Sequence, residues 1–96
     1  MSKVYFVSTH QSTPDDDQLA AYMKAAAPIM ARHGARVIAR GMPLATMEAG
    51  LHERAGIIEW PSLEQVLAVY NSEEYREVLA HLGPNPQRDI RIIGAA

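Results

Sequence analysis

The chain has 96 residues, of which 48% are hydrophobic and 21% charged, so it fits a single domain, residues 1–96, of an ordinary globular protein. Nine basic against eleven acidic residues give a formal net charge of −2, which argues against a nucleic-acid partner. The lack of cysteine excludes disulfides, thiolate nucleophiles and Cys-ligated metal centres. No apolar run approaches the ~20 residues of a membrane span, and the N-terminal one is too short for a signal peptide. We therefore expect a cytoplasmic protein with no membrane partner.

A short β-strand is predicted at residues 4–7, where every residue is β-branched or aromatic. A long helix follows, with Thr13 as its N-cap, Pro14 at its first position and aspartates in its first turn. Its apolar stripe stays in phase across Pro28, so we expect one kinked helix rather than two. Gly34 is expected to end this helix as a left-handed cap.

Two further strands are predicted, at residues 35–44 and 54–60. A hairpin tip at Ala49-Gly50 would join them, with an irregularity at Gly41–Pro43. A hairpin symmetric about that tip places Arg40 opposite Glu59, an opposite-charge pair in register. The same register places Met42 opposite Ile57 and Ala39 opposite Trp60.

Two short helices and a closing strand complete the predicted fold. Ser62 caps the first of these helices, with Gln65 completing a capping box, and Ser72 caps the second. Residues 83–86, Gly-Pro-Asn-Pro, end the helical segment before a strand at residues 90–93. The order is a ferredoxin-like βαββαβ pattern of the α+β class, with a four-stranded antiparallel sheet and its helices on one face.

Both alternating phases of the predicted strands are substantially apolar. The side turned away from the helices would carry residues such as Tyr5, Val7, Ile38, Met42 and Ile57. In so short a chain, burial of both faces calls for a second sheet, most simply from another copy of the chain. The sequence therefore predicts a homodimer.

Several short segments resemble the family known as domain of unknown function 1330 (DUF1330). They are Gly34, Arg40-Gly41, Glu48, Gly50, the run Ile58-Glu59-Trp60-Pro61-Ser62, and Tyr70-Asn71-Ser72 with Glu74-Tyr75, with Thr13-Pro14, Tyr22 and Pro28 fitting the first helix. The resemblance implies a dimeric α+β barrel, a superfamily that includes cofactor-free monooxygenases, isomerases, dechlorinating enzymes and haem enzymes. The chain departs from the family at His81-Leu82-Gly83, where an arginine is usual, and at Pro84-Asn85-Pro86.

His10, Arg40 and Glu59 are the candidate catalytic residues. His10 ends the first strand, where an imidazole that titrates near neutrality would serve as base or acid, or as a hydrogen-bonded loop histidine. Arg40 and Glu59 lie amid strand residues that are usually apolar. They form either a cross-strand pair or a site in which Arg40 holds a substrate carboxylate while Glu59 orients it or takes a proton.

Four aromatic residues are candidates for the wall of a ligand pocket between helices and sheet: Tyr22, Trp60, Tyr70 and Tyr75. Aromatic residues at helical spacing are also typical of a plain core. No pair of histidines has metal-ligand spacing, and we expect neither a metal nor another cofactor.

Two functions remain open on the sequence. One is a small cofactor-independent enzyme acting on a carbonyl or aromatic metabolite, and the other is a non-catalytic dimer that binds a small anionic or aromatic molecule or serves as a scaffold. An internal cavity that reaches His10, Arg40 or Glu59 would favour the enzyme, and a filled, dry interior would favour the non-catalytic dimer.

Overall fold

The computed structural model describes residues 2–96. Its elements are β1 (Val4–His10), α1 (Asp16–Arg32), β2 (Arg36–Gly41), β3 (Ala55–Trp60), α2 (Leu63–Tyr70), α3 (Glu73–Leu79), a 3₁₀ turn (Ala80–Leu82) and β4 (Arg88–Gly94). The strands form one sheet in the order β2-β3-β1-β4 with every neighbouring pair antiparallel. This arrangement confirms the predicted ferredoxin-like α+β fold.

The hydrophobic core lies between the sheet and its three helices. Phe6 and Trp60 contribute from the strands and pack against Ala26 and Ile29 of α1. The two shorter helices add Val66, Val69, Tyr75 and Val78. Because side chains alternate along a strand, these contacts assign Phe6, Ser8 and His10 to the helix-covered face of β1.

Helix α1 runs unbroken through Pro28, as the phase of its apolar stripe predicts. Its N-cap, however, is Asp15, whose carboxylate accepts the backbone N–H of Gln18 at 2.8 Å. The prediction of Thr13 as the cap was wrong, because the helix begins only at Asp16 and the Thr13 hydroxyl accepts the N–H of Arg54 instead. Gly34 has a φ of 78°, which confirms the left-handed end of the helix.

The caps of the two shorter helices follow the prediction. The hydroxyl of Ser62 accepts the N–H of Gln65 at 3.1 Å, and that of Ser72 accepts the N–H of Tyr75 at 3.1 Å. Only the serine half of the capping box forms, because the Gln65 side chain meets Nδ1 of His33 at 2.7 Å. That contact ties the start of α2 to the end of α1.

The predicted β2–β3 hairpin was wrong in its register. Glu59 lies opposite Arg36, and Arg40 lies opposite Gly56. The irregularity falls between Val37 and Ala39, earlier than predicted, and shifts the pairing from there on. The strands are joined by a long loop, residues 42–54, rather than a tight hairpin, so symmetry about Ala49-Gly50 does not set the register. Ala39 accordingly pairs with Ile57, and Met42 lies beyond the end of β2.

The sheet face turned away from the helices, here called the open face, has an apolar centre and charged edges. Paired residues of antiparallel strands share a face, which places Tyr5 with Glu59 and Ile93, and Val7 with Ile57 and Arg91. Ile57 is 36% exposed and Ile93 55% exposed. Within residues 2–96, no helix has the length and apolar character to cross a membrane.

Candidate functional site

A cavity of about 80 Å³ lies between α1 and the helix-covered face of the sheet. One part of its wall is apolar, with Phe6, Leu19, Met23, Val37 and Ile58. The other part is polar, with Ser8, His10, Tyr22, Arg40, Arg54 and Arg88. This space, here called the inner cavity, brings two of the three predicted catalytic residues, His10 and Arg40, to one place.

His10 is the one polar or charged residue among the fully buried side chains of residues 2–96, at 7% exposure. Its Nδ1 atom is buried and has no hydrogen-bond partner within the described chain. Burial, and then the positive charges of Arg88 and Arg54, lower the pKa of His10 below its usual 6.5. The imidazole is therefore neutral at pH 7, with a ring nitrogen able to accept a proton.

Arg88 lies directly opposite His10, since the two residues pair at the end of the β1–β4 ladder. Its guanidinium lies over the ring of Tyr22, 5.6 Å from the centroid, and donates to the Tyr75 hydroxyl at 3.5 Å. The Nε–H group is buried without a partner among residues 2–96. An unsatisfied buried N–H of a cation is costly, and an anionic ligand would satisfy it.

Tyr22 and Tyr75 form a hydrogen-bonded pair beside this arginine. Their hydroxyls are 2.6 Å apart, and their rings meet edge to face. Tyr75 is 2% exposed, and burial is the main cause that raises its pKa, so the phenol stays protonated at neutral pH. The pair ties α1 to α3 and holds the aromatic surface on which Arg88 rests.

Arg54 and Arg40 complete the polar wall. Arg54 precedes β3 and points an Nη atom to the sulfur of Met23 at 3.5 Å, while its backbone carbonyl accepts the N–H of His10 at 2.9 Å. Arg40 is an exposed residue of β2 at the edge of the sheet. In residues 2–96 the ion pairs within 4.0 Å involve other cations, Lys3, Arg32, Arg36 and Arg91. The inner cavity thus has three guanidinium groups that no carboxylate of the described chain neutralises.

Glu59 lies away from this cavity, and the predicted Arg40–Glu59 pair was wrong. Its carboxylate meets Nζ of Lys3 at 3.1 Å and an Nη atom of Arg36 at 3.2 Å. The hydrogen bond from Lys3 is the main cause that lowers the pKa of Glu59, with the Arg36 contact adding to it. The register of β2 against β3 puts Arg36, rather than Arg40, opposite Glu59 on the open face.

The four predicted pocket aromatics divide between cavity and core. Tyr22 lines the inner cavity. Trp60, Tyr70 and Tyr75 surround a space of only about 10 Å³ inside the hydrophobic core, too small for a ligand. Tyr75 still reaches the site through its hydroxyl, and Tyr70 packs on Tyr75 with ring centroids 5.2 Å apart.

A second cavity of about 310 Å³, here called the outer cavity, shares His10 and Ala55 with the inner one. Thr9 and Asp89 line it from the sheet, and Pro43, Ala49, Gly50, Leu51 and Glu53 line it from the long loop. His10 therefore lines spaces on both sides of the end of the sheet. The outer cavity is large enough for a small metabolite, which the inner cavity alone is not.

Glu53 fixes the chain at the boundary of these cavities. Its carboxylate accepts both the backbone N–H of Thr13 at 2.8 Å and its hydroxyl at 2.6 Å, and these bonds lower the pKa of Glu53. The Thr13 hydroxyl in turn accepts the N–H of Arg54 at 3.0 Å. The segment before α1 is thereby tied to the start of β3, beside His10.

The prediction from sequence missed Arg54 and Arg88. Arg54 immediately precedes β3 and Arg88 begins β4. Both strands run antiparallel to β1, so the predicted strand order places the two arginines beside the end of β1, where His10 lies. The sequence and the predicted strand order could therefore have identified these two arginines as neighbours of His10. No cluster of three or more metal-ligating His, Cys, Asp or Glu side chains occurs in residues 2–96.

Comparison with known proteins agrees with the fold and gives no activity. A family model described as domain of unknown function (DUF1330) matches residues 3–96. No curated protein matches the chain.

Three solved structures illustrate the similarity in fold. A protein of unknown function from Rhodopseudomonas palustris superposes with a TM-score of 0.72 at 17% identity, over 99% of this chain and 83% of that one. A candidate antibiotic biosynthesis monooxygenase from Caulobacter crescentus gives 0.66 at 15% identity, over 99% and 91%. A dimeric ferredoxin-like protein of unknown function from Thermobifida fusca gives 0.66 at 17% identity, over 98% and 92%.

Proposed function

We propose that this protein, which belongs to the DUF1330 family over residues 3–96, binds a small metabolite with a carboxylate on an apolar body and uses His10 to take a proton from it. The observation that carries the proposal is the group of three arginines, Arg40, Arg54 and Arg88, around one cavity that also contains a buried neutral histidine.

The arginines determine the charge of the ligand. Guanidinium groups bind carboxylates through paired N–H donors, and such charge-assisted bonds are stronger when partly buried. Arg88 has a buried Nε–H without a partner in the described chain, and the cavity-lining cations have no carboxylate within ion-pair distance there. An anion would relieve this unbalanced positive charge in a chain whose formal net charge is −2.

The rest of the inner cavity determines the body of the ligand. Phe6, Leu19, Val37 and Ile58 offer no charged or hydrogen-bonding side chain, and the sulfur of Met23 already meets Arg54. An aliphatic or aromatic group fits such a wall better than a second charged group does. This combination favours an apolar carboxylate over inorganic phosphate or a nucleotide.

His10 supplies the chemistry in this proposal. A neutral imidazole can accept a proton from a carbon next to a carbonyl, and the electron pair left behind delocalises onto the carbonyl oxygen. Arg54 and Arg88 would stabilise the negative charge that forms there. The reaction needs only general-base and electrostatic catalysis, in keeping with the cofactor-independent enzymes of the superfamily that the sequence resembles.

Isothermal titration calorimetry with acetate, pyruvate and benzoate tests the binding half of the proposal. Acetamide and benzamide are matched neutral probes, which should bind far more weakly because they lack the charge that the arginines recognise. Arg40→Leu should weaken binding of the carboxylates, whereas Arg76→Leu, on the exposed surface of α3, should leave it unchanged. Equal binding of carboxylates and amides would contradict an arginine-based site.

Hydrogen–deuterium exchange at the methyl group of pyruvate tests the catalytic half. NMR in D₂O should show exchange accelerated by the wild-type protein and lost in His10→Gln. Pyruvate that binds without any accelerated exchange would instead support the non-catalytic binding function. The cavity that reaches both His10 and Arg40 already disfavours a pure scaffold.

We also propose that the protein is a homodimer in which two open faces pack together as a dimeric α+β barrel. The apolar centre of that face, with Tyr5, Val7, Ile57 and Ile93, supports this assembly. A relative in fold is described as dimeric. Sedimentation velocity at micromolar concentration should give twice the mass of the chain, and a monomer at every concentration would refute the barrel.

A further inference from the structure

The long loop between β2 and β3, residues 42–54, carries the most exposed large apolar side chains of the described chain. Leu44 is 105% exposed, Met47 81% and Leu51 57%. A cluster of such side chains on one loop marks an interaction surface rather than ordinary surface scatter. Neither Leu44 nor Met47 lines the inner or the outer cavity of its own chain.

The loop lies on the side of the open face. It shares the outer cavity with Thr9, Ala55 and Asp89. These three residues are paired across β1, β3 and β4 and alternate with the helix-facing residues, so they belong to the open face. The outer cavity and the loop beside it are therefore on the side that a second copy would cover.

The open face and the adjoining loop both contribute area on the side that a second copy would cover. Four strands about 4.8 Å apart and about seven residues long, at about 3.4 Å per residue, span roughly 450 Å² in projection. A stable interface takes about 800 Å² of accessible surface from each partner, and the accessible area of side chains exceeds their projected area. The exposed side chains of the adjoining loop add further apolar area on the same side.

We propose that the β2–β3 loop of each copy packs on the other copy of the dimer and closes its outer cavity next to His10. The inference rests on the homodimer and the carboxylate site proposed above. Leu44 and Met47 are the side chains that contact the other copy, because both are exposed and neither lines the inner or the outer cavity of its own chain. Each outer cavity is then incomplete in a single chain, and water access to His10 from that side depends on dimerisation.

A cysteine-accessibility measurement tests the location of the loop without any ligand. The chain has no cysteine, so Met47→Cys introduces a unique thiol. Its alkylation rate should fall by at least about tenfold when the protein concentration rises from below to above the dimer dissociation constant. Leu63→Cys, at an exposed position of α2, is the matched control and should react equally fast at both concentrations. Equal rates for Met47→Cys would overturn the proposal.

Subunit mixing tests closure of the site between chains. One variant has a changed loop, Leu44→Ser with Met47→Ser, and the other a changed cavity, Arg40→Leu; each alone should bind benzoate poorly. In an equimolar mixture, about a quarter of all cavities have an intact wall and face an intact loop from the other chain, so about a quarter of the binding capacity should return.

If wild-type protein binds benzoate and the mixture recovers none, the loop does not act between chains and the proposal fails. If wild-type protein binds none of the carboxylates, the proposed function fails and closure of that site fails with it. The thiol rates still decide independently whether the loop is buried in the dimer.

Discussion

His10 is a buried side chain at the end of a strand, and two positively charged arginines lie near it. Burial lowers its pKa most, and the cations of Arg88 and Arg54 lower it further, against a smaller opposing effect of Glu53. The folded protein therefore favours the neutral form of His10, and a protonated His10 must lose its proton when the chain folds. Because the pKa of His10 differs between the folded and the unfolded chain, the stability of the protein depends on pH.

The pH dependence of stability follows from that linkage. With the folded-state pKa below the unfolded value of 6.5, the unfolded chain binds more protons, so the free energy of unfolding increases with pH across the interval between the two values. Urea unfolding should show stability lost as the pH falls through 6.5. His10→Gln should flatten this part of the profile, while the surface variant His81→Gln should retain it.

Tyr75→Phe tests the hydrogen bonds that hold Arg88 and Tyr22. The change removes the hydroxyl that lies 2.6 Å from that of Tyr22 and 3.5 Å from Arg88, in a side chain that is 2% exposed. We expect a loss of about 1–3 kcal/mol in the free energy of unfolding, because two hydrogen bonds of about 0.5–1.5 kcal/mol each are removed.

Tyr70→Phe is the matched control for this loss. The ring of Tyr70 packs on that of Tyr75, but within residues 2–96 the Tyr70 hydroxyl has no side-chain hydrogen bond. Urea denaturation should show little change for Tyr70→Phe. A similar loss in both variants would mean that the Tyr22–Tyr75 pair contributes nothing specific.

At the scale of elements, the end of α1 depends on one backbone conformation. Gly34 has a φ of 78°, and a Cβ atom there would lie 3.1 Å from Cγ of Pro61, at the start of the segment leading to α2. Gly34→Ala should cost about 1–2 kcal/mol, the penalty for a left-handed L-residue. Chemical denaturation should show no comparable cost for Gly94→Ala, where a Cβ meets nothing within 4 Å.

Cross-strand charge pairs give a direct test of the β2–β3 register. A double-mutant cycle between Arg36 and Glu59 should show favourable coupling, because their side chains are 3.2 Å apart. The same cycle between Arg40 and Glu59 should show none, because Arg40 is opposite Gly56 and lines the cavity on the other side of the sheet. Coupling confined to the Arg40 cycle would contradict the observed register.

These elements show why the sequence predicts some features and not others. Ser62, Ser72 and Gly34 cap helices through backbone groups only a few residues away, so local sequence patterns predict their roles. The register of β2 against β3 has no comparable local signal, because the long loop is not centred on Ala49-Gly50 and the bulge near Ile38 shifts the pairing by one residue more. The Thr13 hydroxyl accepts the N–H of Arg54 and donates to Glu53, residues forty or more positions away that only the fold brings near.

At the scale of the whole molecule, the candidate site collects residues from every strand and from α1. His10 and Arg40 were predicted individually, whereas Arg54 and Arg88 join them because two strands start where β1 ends. Glu59 faces the other side of the sheet, which leaves the cavity without the predicted acidic partner. The result is a cationic cavity with one neutral base, in a fold that also has an apolar open face.

The central claim is that a carboxylate binds among these arginines, next to His10. A ¹H–¹³C NMR titration of the His10 ring with and without saturating benzoate tests it most directly. The bound carboxylate should offset the charges of Arg88 and Arg54, which lower the pKa of His10 in the free protein, so this pKa should rise when benzoate is present. Benzamide should leave the titration of His10 unchanged. A His10 titration curve that is identical with and without benzoate at saturation would contradict the claim.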